Sequence, residues 1–264
     1  MPSHPIRRNA LLWCSPLVAA AVYVLMWLGY RQGWVWLDAV DSSVLTAGHG
    51  VGVKHPGWVR FWDVVCTVFA PSTFRLLGVL AAVVALVKRR LRAALFVLVA
   101  VEPCGLVTQL AKGLVDRPRP VTALVAASSS SFPSGHALAA MVGVAALLAV
   151  TLPVLVVRVK LAAVVLGALI VVAVGVGRVA LNVHHPSDVL AGWALGYLYF
   201  LGCARLLRSP GGAPAVDLPR PEPENDLDDA STGGPGRHAC LFQTGLQRRC
   251  DIRHAVEQPE DPHS

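Results

Sequence analysis

Residues 10–30 read ALLWCSPLVAAAVYVLMWLGY, an uncharged run of 21 residues. The hydrocarbon core of a bilayer is about 30 Å thick, and an α-helix needs about 20 apolar residues to cross it. Arg7 and Arg8 precede the run, as basic residues do in a secretory signal, but the bulky residues after Trp27 offer no small-residue cleavage site. We therefore expect an uncleaved helix that anchors the chain in a membrane.

Five further apolar segments follow, separated by charged residues and prolines. They cover about residues 71–87, 93–111, 136–152, 161–176 and 189–206. The overall composition agrees, because 55% of the residues are hydrophobic and only 15% are charged, whereas soluble domains carry about 25% charged residues. The sequence predicts an all-α, polytopic membrane protein with a bundle of six transmembrane helices. It argues against an ordinary soluble globular protein.

Two parts of the chain lie outside this pattern. Residues 33–69 mix several tryptophans with charged residues, which favours short helices at the membrane interface. From residue 208 the chain is rich in Pro and Gly and holds 10 of the 16 acidic residues. Such a segment cannot bury enough apolar surface to offset the entropy lost on ordering. We predict a membrane domain over residues 1–207 and a disordered polar tail over residues 208–264.

The basic residues between the apolar segments predict the orientation. If the chain crosses the membrane six times, the basic residues at 7–8, 88–92, 158–160 and 205–208 all lie on the same side. The positive-inside rule places that side in the cytoplasm. We expect a multi-pass protein of the cell membrane with both termini cytoplasmic and with loops 31–70, 112–135 and 178–188 outside. Because the basic residues punctuate apolar runs, we expect membrane lipids rather than nucleic acid as partners.

Three polar clusters fall on the expected outer side, at residues 112–120, 132–136 and 178–188. Their cations break the positive-inside rule, which makes them candidates for function. Lys112, Arg119 and Arg178 could meet the charge of a phosphoryl group. Ser134 offers a hydroxyl, and Gly135 allows close backbone approach at a helix N-terminus, where anions are favoured. The clusters together favour a phosphate-binding site.

The remaining polar residues of these clusters suit phosphoryl transfer. His184 precedes Asp188 by four residues, so we expect both on one face at the start of a helix, with the carboxylate orienting a nucleophilic imidazole. His136 could protonate a leaving oxygen. The outer loops hold few carboxylates and no HExxH sequence, so we expect neither a metal ion nor another cofactor.

These residues resemble a known family. Lys-x6-Arg-Pro, Pro-Ser-Gly-His and Ser-Arg-x5-His-x3-Asp are the signature motifs of the phosphatidic acid phosphatase type 2 (PAP2) / vanadium haloperoxidase superfamily. Lys112 to Pro120 is similar to the first and residues 133–136 to the second. Residues 178–188 are similar to the third, with Gly177 in place of its serine. The resemblance covers about residues 10–207.

The resemblance implies a six-helix membrane phosphatase that acts on lipid phosphates or diphosphates through a phosphohistidine and without a metal. By motif position, His184 would be the nucleophile, His136 the acid and Asp188 the orienting carboxylate. The phosphate-binding residues would be Lys112, Arg119, Ser134, Gly135 and Arg178. Polyprenyl diphosphate, phosphatidylglycerophosphate and phosphatidic acid all remain open as substrates, and the oligomeric state is open too.

Two other functions fit parts of the pattern. A small anion or lipid transporter could use six helices and outer cations, but it has no use for the two histidines and Asp188. A haloperoxidase could share the motifs, but those of the family are soluble and larger than this chain.

Several other polar or small residues receive structural interpretations. We expect His185 at the rim of the site or in a structural role, and Gly192 with Gly196 in helix packing. Asp116 and Arg117 could pair or touch a lipid headgroup, and a solvated loop is the favoured interpretation. For Glu102 two interpretations stay open, a functional role and burial with a partner such as Gln109 or Arg75.

Overall fold

The computed structural model describes residues 5–207, with side chains from residue 14 onwards. This part of the chain is all helical. Its nine α-helices, joined by one long loop over residues 116–134, shorter loops and one 3₁₀ turn at Leu152–Val154, are α1 Pro5–Gln32, α2 Val35–Lys54, α3 Pro56–Val68, α4 Pro71–Val87, α5 Leu91–Val101, α6 Cys104–Val115, α7 Gly135–Thr151, α8 Val157–Ala180 and α9 Pro186–Leu206. The predicted tail over residues 208–264, and with it the predicted domain boundary, lies outside the described residues.

Six segments of the described chain are long and apolar enough to cross a membrane. They are Cys14–Gln32, Pro56–Val87, Leu91–Val115, Gly135–Val154, Val157–Ala180 and Pro186–Leu206. The predicted fold class, a six-helix membrane bundle, is confirmed. The fifth segment is longer than the predicted 161–176. It includes Arg178, which was expected in the outer loop over residues 178–188.

The third segment is not one continuous helix. It is divided into α5 and α6 at Glu102 and Pro103. Proline has no backbone N–H to donate and its ring clashes with the preceding turn, so a helix ends or bends there. Glu102 is exposed at this junction and forms no ion pair with any described residue. Burial with Gln109 or Arg75, one of the two interpretations left open for Glu102, is therefore wrong.

The segment expected to hold short interfacial helices contains α2 and α3. At 20 residues α2 is not short, and it packs against α8 and α9. Four residues of α2 are buried, among them Asp41. A carboxylate is costly to bury without a partner. This helix therefore brings a polar group from the first third of the sequence into the interior of the bundle.

Close packing of α7 against α9 fixes where the polar clusters meet. A Cβ on Gly192 would lie 2.6 Å from the carbonyl oxygen of Ser134, and one on Gly196 would lie 2.9 Å from that of Leu138. Only glycine permits this approach, as the expected role in helix packing requires. The backbone N–H of Ser134 donates to the carbonyl oxygen of Asp188 at 3.0 Å. The N-termini of the two helices are therefore joined directly.

We predict that Gly192→Ala separates these two helix ends. The added methyl group meets backbone rather than a flexible side chain, and overpacking of this kind costs about 1–3 kcal/mol. The midpoint of thermal unfolding in detergent should fall, and so should any activity that depends on residues 134–136. Gly202→Ala in the same helix is the control, because a Cβ there meets nothing within 4 Å. Equal loss of stability in the two variants would contradict this account.

Candidate active site

A cavity of about 380 Å³ brings residues of all three polar clusters together. It is lined by the following members of the predicted site: Lys112 from α6, Arg119 from the loop after it, Gly135 and His136 from α7, Arg178 from α8, and His184 from the loop between α8 and α9. Ser134 and Asp188 are buried in the wall beside it. All eight predicted site residues thus lie at one place, although they come from three separate clusters in the sequence.

The three predicted phosphate-binding cations have no ion-pair partner among the described residues. Lys112 donates from Nζ to the hydroxyl of Ser129, at 3.1 Å, and to the carbonyl of Ser130. Arg119 donates to the carbonyl oxygens of Ser129, at 3.0 Å, and Val183, at 2.7 Å. These neutral oxygens orient the cations without cancelling their charge. The cavity is therefore electropositive and suits an anion.

The N-terminus of α7 adds neutral donors to the same cavity. Ser134 is the residue that precedes the helix, and its hydroxyl is buried without a partner in the described chain. Gly135 opens the helix, and the first backbone N–H groups of a helix have no intrahelical acceptor. A hydroxyl and free N–H groups at the positive end of a helix dipole can bind the oxygens of an anion.

His184 is held as a neutral imidazole. Its Nε2 lies 3.2 Å from a guanidinium nitrogen of Arg119. Because a guanidinium can only donate, Nε2 accepts and the proton lies on Nδ1. Burial lowers the pKa of His184 to about 4; Asp188 opposes this shift, whereas Arg178 and Arg119 add to it. The nitrogen that faces the cavity is therefore unprotonated at neutral pH and can act as a nucleophile.

Asp188 lies behind His184 and accepts hydrogen bonds from several donors. Its Oδ2 is 3.6 Å from His184 Nδ1, which is longer than a hydrogen bond, and it accepts from the hydroxyl of Ser131. Ser131 Oγ lies 3.5 Å from the same imidazole nitrogen. The hydroxyl is thus placed between the imidazole and the carboxylate. No motif in the sequence distinguishes Ser131 as a site residue, since it is one of four consecutive serines.

His184 and Asp188 approach each other, with 3.6 Å between Nδ1 and Oδ2, but they do so across a helix end and not on one face of a helix. His184 lies in the loop that precedes α9, and Asp188 lies in the first turn of that helix. Asp188 Oδ2 accepts from the backbone N–H of His185 at 2.8 Å and contacts its Nδ1 at 3.1 Å. This reciprocal cap starts the helix and turns the preceding residue back toward the carboxylate. His185 is therefore part of the helix cap.

Arg117 is not in a solvated loop, contrary to expectation. It is 4% exposed and donates to Asp188 Oδ1 at 2.8 Å and to Asp41 Oδ2 at 2.9 Å. Asp41 also accepts from the backbone N–H of Ser187 at 3.0 Å. A planar guanidinium can bridge two carboxylates in this way. If the Arg117 side chain were exposed to solvent instead, both carboxylates would be buried without a cation. Asp116, the neighbour of Arg117, is exposed as expected.

Comparison with known proteins gives the family. Residues 90–209 match the model described as the PAP2 superfamily, and this stretch contains all three motifs. The segment that carries the site belongs to the PAP2 superfamily. The resemblance predicted from the motifs is confirmed.

A curated protein and a solved structure, both from Bacillus subtilis, are similar to parts of this chain. Phosphatidylglycerophosphatase B of strain 168 is 43% identical over 99 residues, which are 36% of this chain and 48% of that relative. The match thus spans about half the length of the curated relative. The crystal structure of the first transmembrane PAP2-type phosphatidylglycerolphosphate phosphatase aligns with a TM-score of 0.63 at 27% identity, covering 73% of this chain and 95% of the other.

We predict that Arg117 and Asp41 are energetically coupled. Arg117→Gln leaves two buried carboxylates without a cation, which costs about 3–5 kcal/mol, so the midpoint of thermal unfolding and the activity should both fall. Arg117→Lys keeps the charge but cannot reach both carboxylates with one planar group. In Asp41→Asn/Arg117→Gln one of the uncompensated charges is gone, so the double variant should lose less stability than the two single losses added together.

Arg92→Gln, which changes an exposed cation on α5, is the control and should leave stability within about 0.5 kcal/mol of the parent. Strict additivity of the Asp41 and Arg117 variants would contradict the coupling.

Proposed function

We propose that this protein is a membrane-embedded phosphatase that hydrolyses a phosphomonoester or diphosphate of a lipid. The observation that carries the proposal is the convergence of three cations with two histidines in one cavity of a six-span helical bundle, where no residue within 14–207 forms an ion pair with the cations. The cations suit a phosphoryl group, and the bundle suits a substrate that stays in the membrane. The similarity to phosphatidylglycerophosphatase B supports this substrate class. Phosphatidylglycerophosphate, polyprenyl diphosphate and phosphatidic acid are the candidate substrates.

In the proposed mechanism His184 attacks the phosphorus atom. A bond forms from Nε2 to phosphorus, the bond from phosphorus to the leaving oxygen breaks, and His136 gives that oxygen a proton. Asp188, with the Ser131 hydroxyl beside it, stabilises the Nδ1–H tautomer and the positive charge that develops on the ring. Water then attacks the phosphohistidine, with His136 taking its proton. Inorganic phosphate and free His184 result.

The negative charge of the transferred group is met by Lys112, Arg119 and Arg178, together with the Ser134 hydroxyl and the Gly135 N–H. Arg119 contacts His184 Nε2 in the empty cavity. In the proposed complex its guanidinium turns to a phosphoryl oxygen, which frees the nitrogen for attack. Three cations that line one cavity of low dielectric can stabilise the negative charge of the phosphoryl oxygens. We therefore propose that the reaction needs no metal ion.

We propose that the cavity faces the outside of the cell membrane and that both termini are cytoplasmic. The basic residues at 88–92 and 158–160 support this orientation, because they lie at the ends of spans on the side opposite to the site. The substrate would then be taken from the outer leaflet.

Phosphate release from a panel of lipids tests the function. The purified protein in mixed micelles should release inorganic phosphate from at least one of the three candidates in the presence of EDTA. Vanadate should inhibit, because it adopts the five-coordinate geometry of the transferred phosphoryl group. Loss of activity with EDTA and its return with one divalent cation would contradict metal independence. Absence of release from every lipid would overturn the proposed function and leave the transporter alternative.

Trapping of the intermediate tests the roles of the side chains. His184→Ala should abolish turnover and the acid-labile phosphoenzyme formed with labelled substrate. Asp188→Asn should reduce both less, since it orients the ring and does not attack. His136→Ala should slow release of a lipid alkoxide strongly and release of an aryl phosphate little, because the aryl oxide leaves without a proton. A phosphoenzyme in His184→Ala, or equal losses on both leaving groups in His136→Ala, would contradict these roles.

A further inference from the structure

The cavity extends beyond the residues that the proposed mechanism uses. Gly105, Thr108, Gln109 and Lys112 line it from one face of α6, at intervals of three or four residues. Gly105 and Lys112 are seven residues apart, which is about 10 Å along a helix. The cavity is thus elongated along α6, and the three phosphate-binding cations lie toward the Lys112 end.

Arg75 lies at the other end of the cavity. It projects from the second turn of α4 and covers Gly105, where a Cβ would overlap its guanidinium. It forms no hydrogen bond or ion pair with any residue of the described chain. The nearby Gln109 is likewise without a hydrogen-bond partner there. Two polar side chains with unused donors therefore line the part of the cavity that is distant from the two histidines.

Arg75 lies apart from the first group of cations. Its guanidinium lies against Gly105, in the first turn of α6, whereas Lys112 is seven residues further along the same helix. A single phosphoryl group bound among the first cations would therefore leave Arg75 unoccupied.

The order of groups along the cavity places Arg75 on the leaving-group side. A Cβ on Gly135 would lie 3.0 Å from Thr108, so the start of α7 is level with the middle of the α6 face. His136 follows at this level. Ala139, one turn further along α7, lines the cavity with Cys104 and Gly105. A leaving oxygen that takes its proton from His136 would thus point toward the end of the cavity where Arg75 lies.

We propose that Arg75 binds a second phosphate, one carried by the leaving group of the substrate. This deepens the proposed function and rests on it. The ligand chemistry is a lipid with two phosphates, of which the terminal one is removed and the inner one stays with the lipid. A phosphodiester joined through glycerol and the inner phosphate of a lipid diphosphate both meet this description. Phosphatidic acid and aryl phosphates, which have one phosphate, leave Arg75 without a ligand.

The test compares substrates with one and with two phosphates. The ratio of kcat/KM for phosphatidylglycerophosphate to kcat/KM for p-nitrophenyl phosphate is measured in parent and variants, and the ratio for a polyprenyl diphosphate is measured in parallel. Arg75→Gln should lower at least one of these ratios about 10- to 100-fold, the value of a lost charged hydrogen bond. Arg75→Lys should recover part of the loss. Gly105→Ala, which keeps the charge but displaces the guanidinium, should lower the same ratio.

Arg60→Gln is the matched control, because Arg60 is an exposed cation on α3 and does not line the cavity. Its ratios should equal those of the parent. A fall confined to phosphatidylglycerophosphate identifies the glycerol-linked phosphate as the ligand, and a fall confined to the diphosphate identifies the directly linked one. Ratios unchanged in Arg75→Gln, or equal losses on all substrates, would overturn the proposal. Failure of the proposed function is distinct, because the parent itself would then release no phosphate.

Discussion

The guanidinium of Arg117 lies between two buried carboxylates, those of Asp41 and Asp188, and binds both. Arg117 is the cation that both carboxylates share, and removal of one partner from a buried ion pair is costly because the charge left behind is desolvated. Asp41 comes from α2 and Asp188 from α9, so the interaction ties together helices that are far apart in sequence. Since Asp188 also caps α9 and lies behind His184, the position of the imidazole depends on this ion pair.

A second constraint is steric and acts on the same helix ends. The hydrogen bond between the N-terminal ends of α7 and α9 can form only if the two helices approach closely, and the glycines at 192 and 196 allow this. In a membrane, helices gain little from the hydrophobic effect on association, so close backbone packing and interhelical hydrogen bonds carry more of the stability. The bond from the Ser134 N–H to the Asp188 carbonyl adds to that packing. The donors of one helix end and the carboxylate of the other are thereby fixed relative to each other.

Features that depend on local sequence pattern, such as the spans and the site motifs, were predicted from the sequence. Contacts between residues far apart in the chain were not. Uninterrupted apolar runs indicated six spans, and the spacing within three polar clusters indicated the eight site residues. Asp41 and Arg117 were not predicted as a pair because 76 positions separate them, and neither belongs to a repeating pattern. The position of His184 was predicted from helical spacing, although the observed approach to Asp188 depends on a helix cap. The place of Arg75 in the cavity was not predicted, since nothing local shows that α4 faces the same cavity as α6.

The cations of the site illustrate why a binding cavity differs from a stable core. Asp41 and Asp188 neutralise Arg117, so that residue is stabilised in the empty protein. Lys112 and Arg119 donate instead to carbonyl and hydroxyl oxygens of residues 128–130, and these neutral acceptors offset only part of the cost of burying charge. A carboxylate at this position would make the empty cavity more stable, but it would repel the oxygens of an anion. The uncompensated charge thus lowers the stability of the empty protein and raises its affinity for a phosphoryl group, and the network around Arg117 supplies the rigidity that keeps these like charges close together.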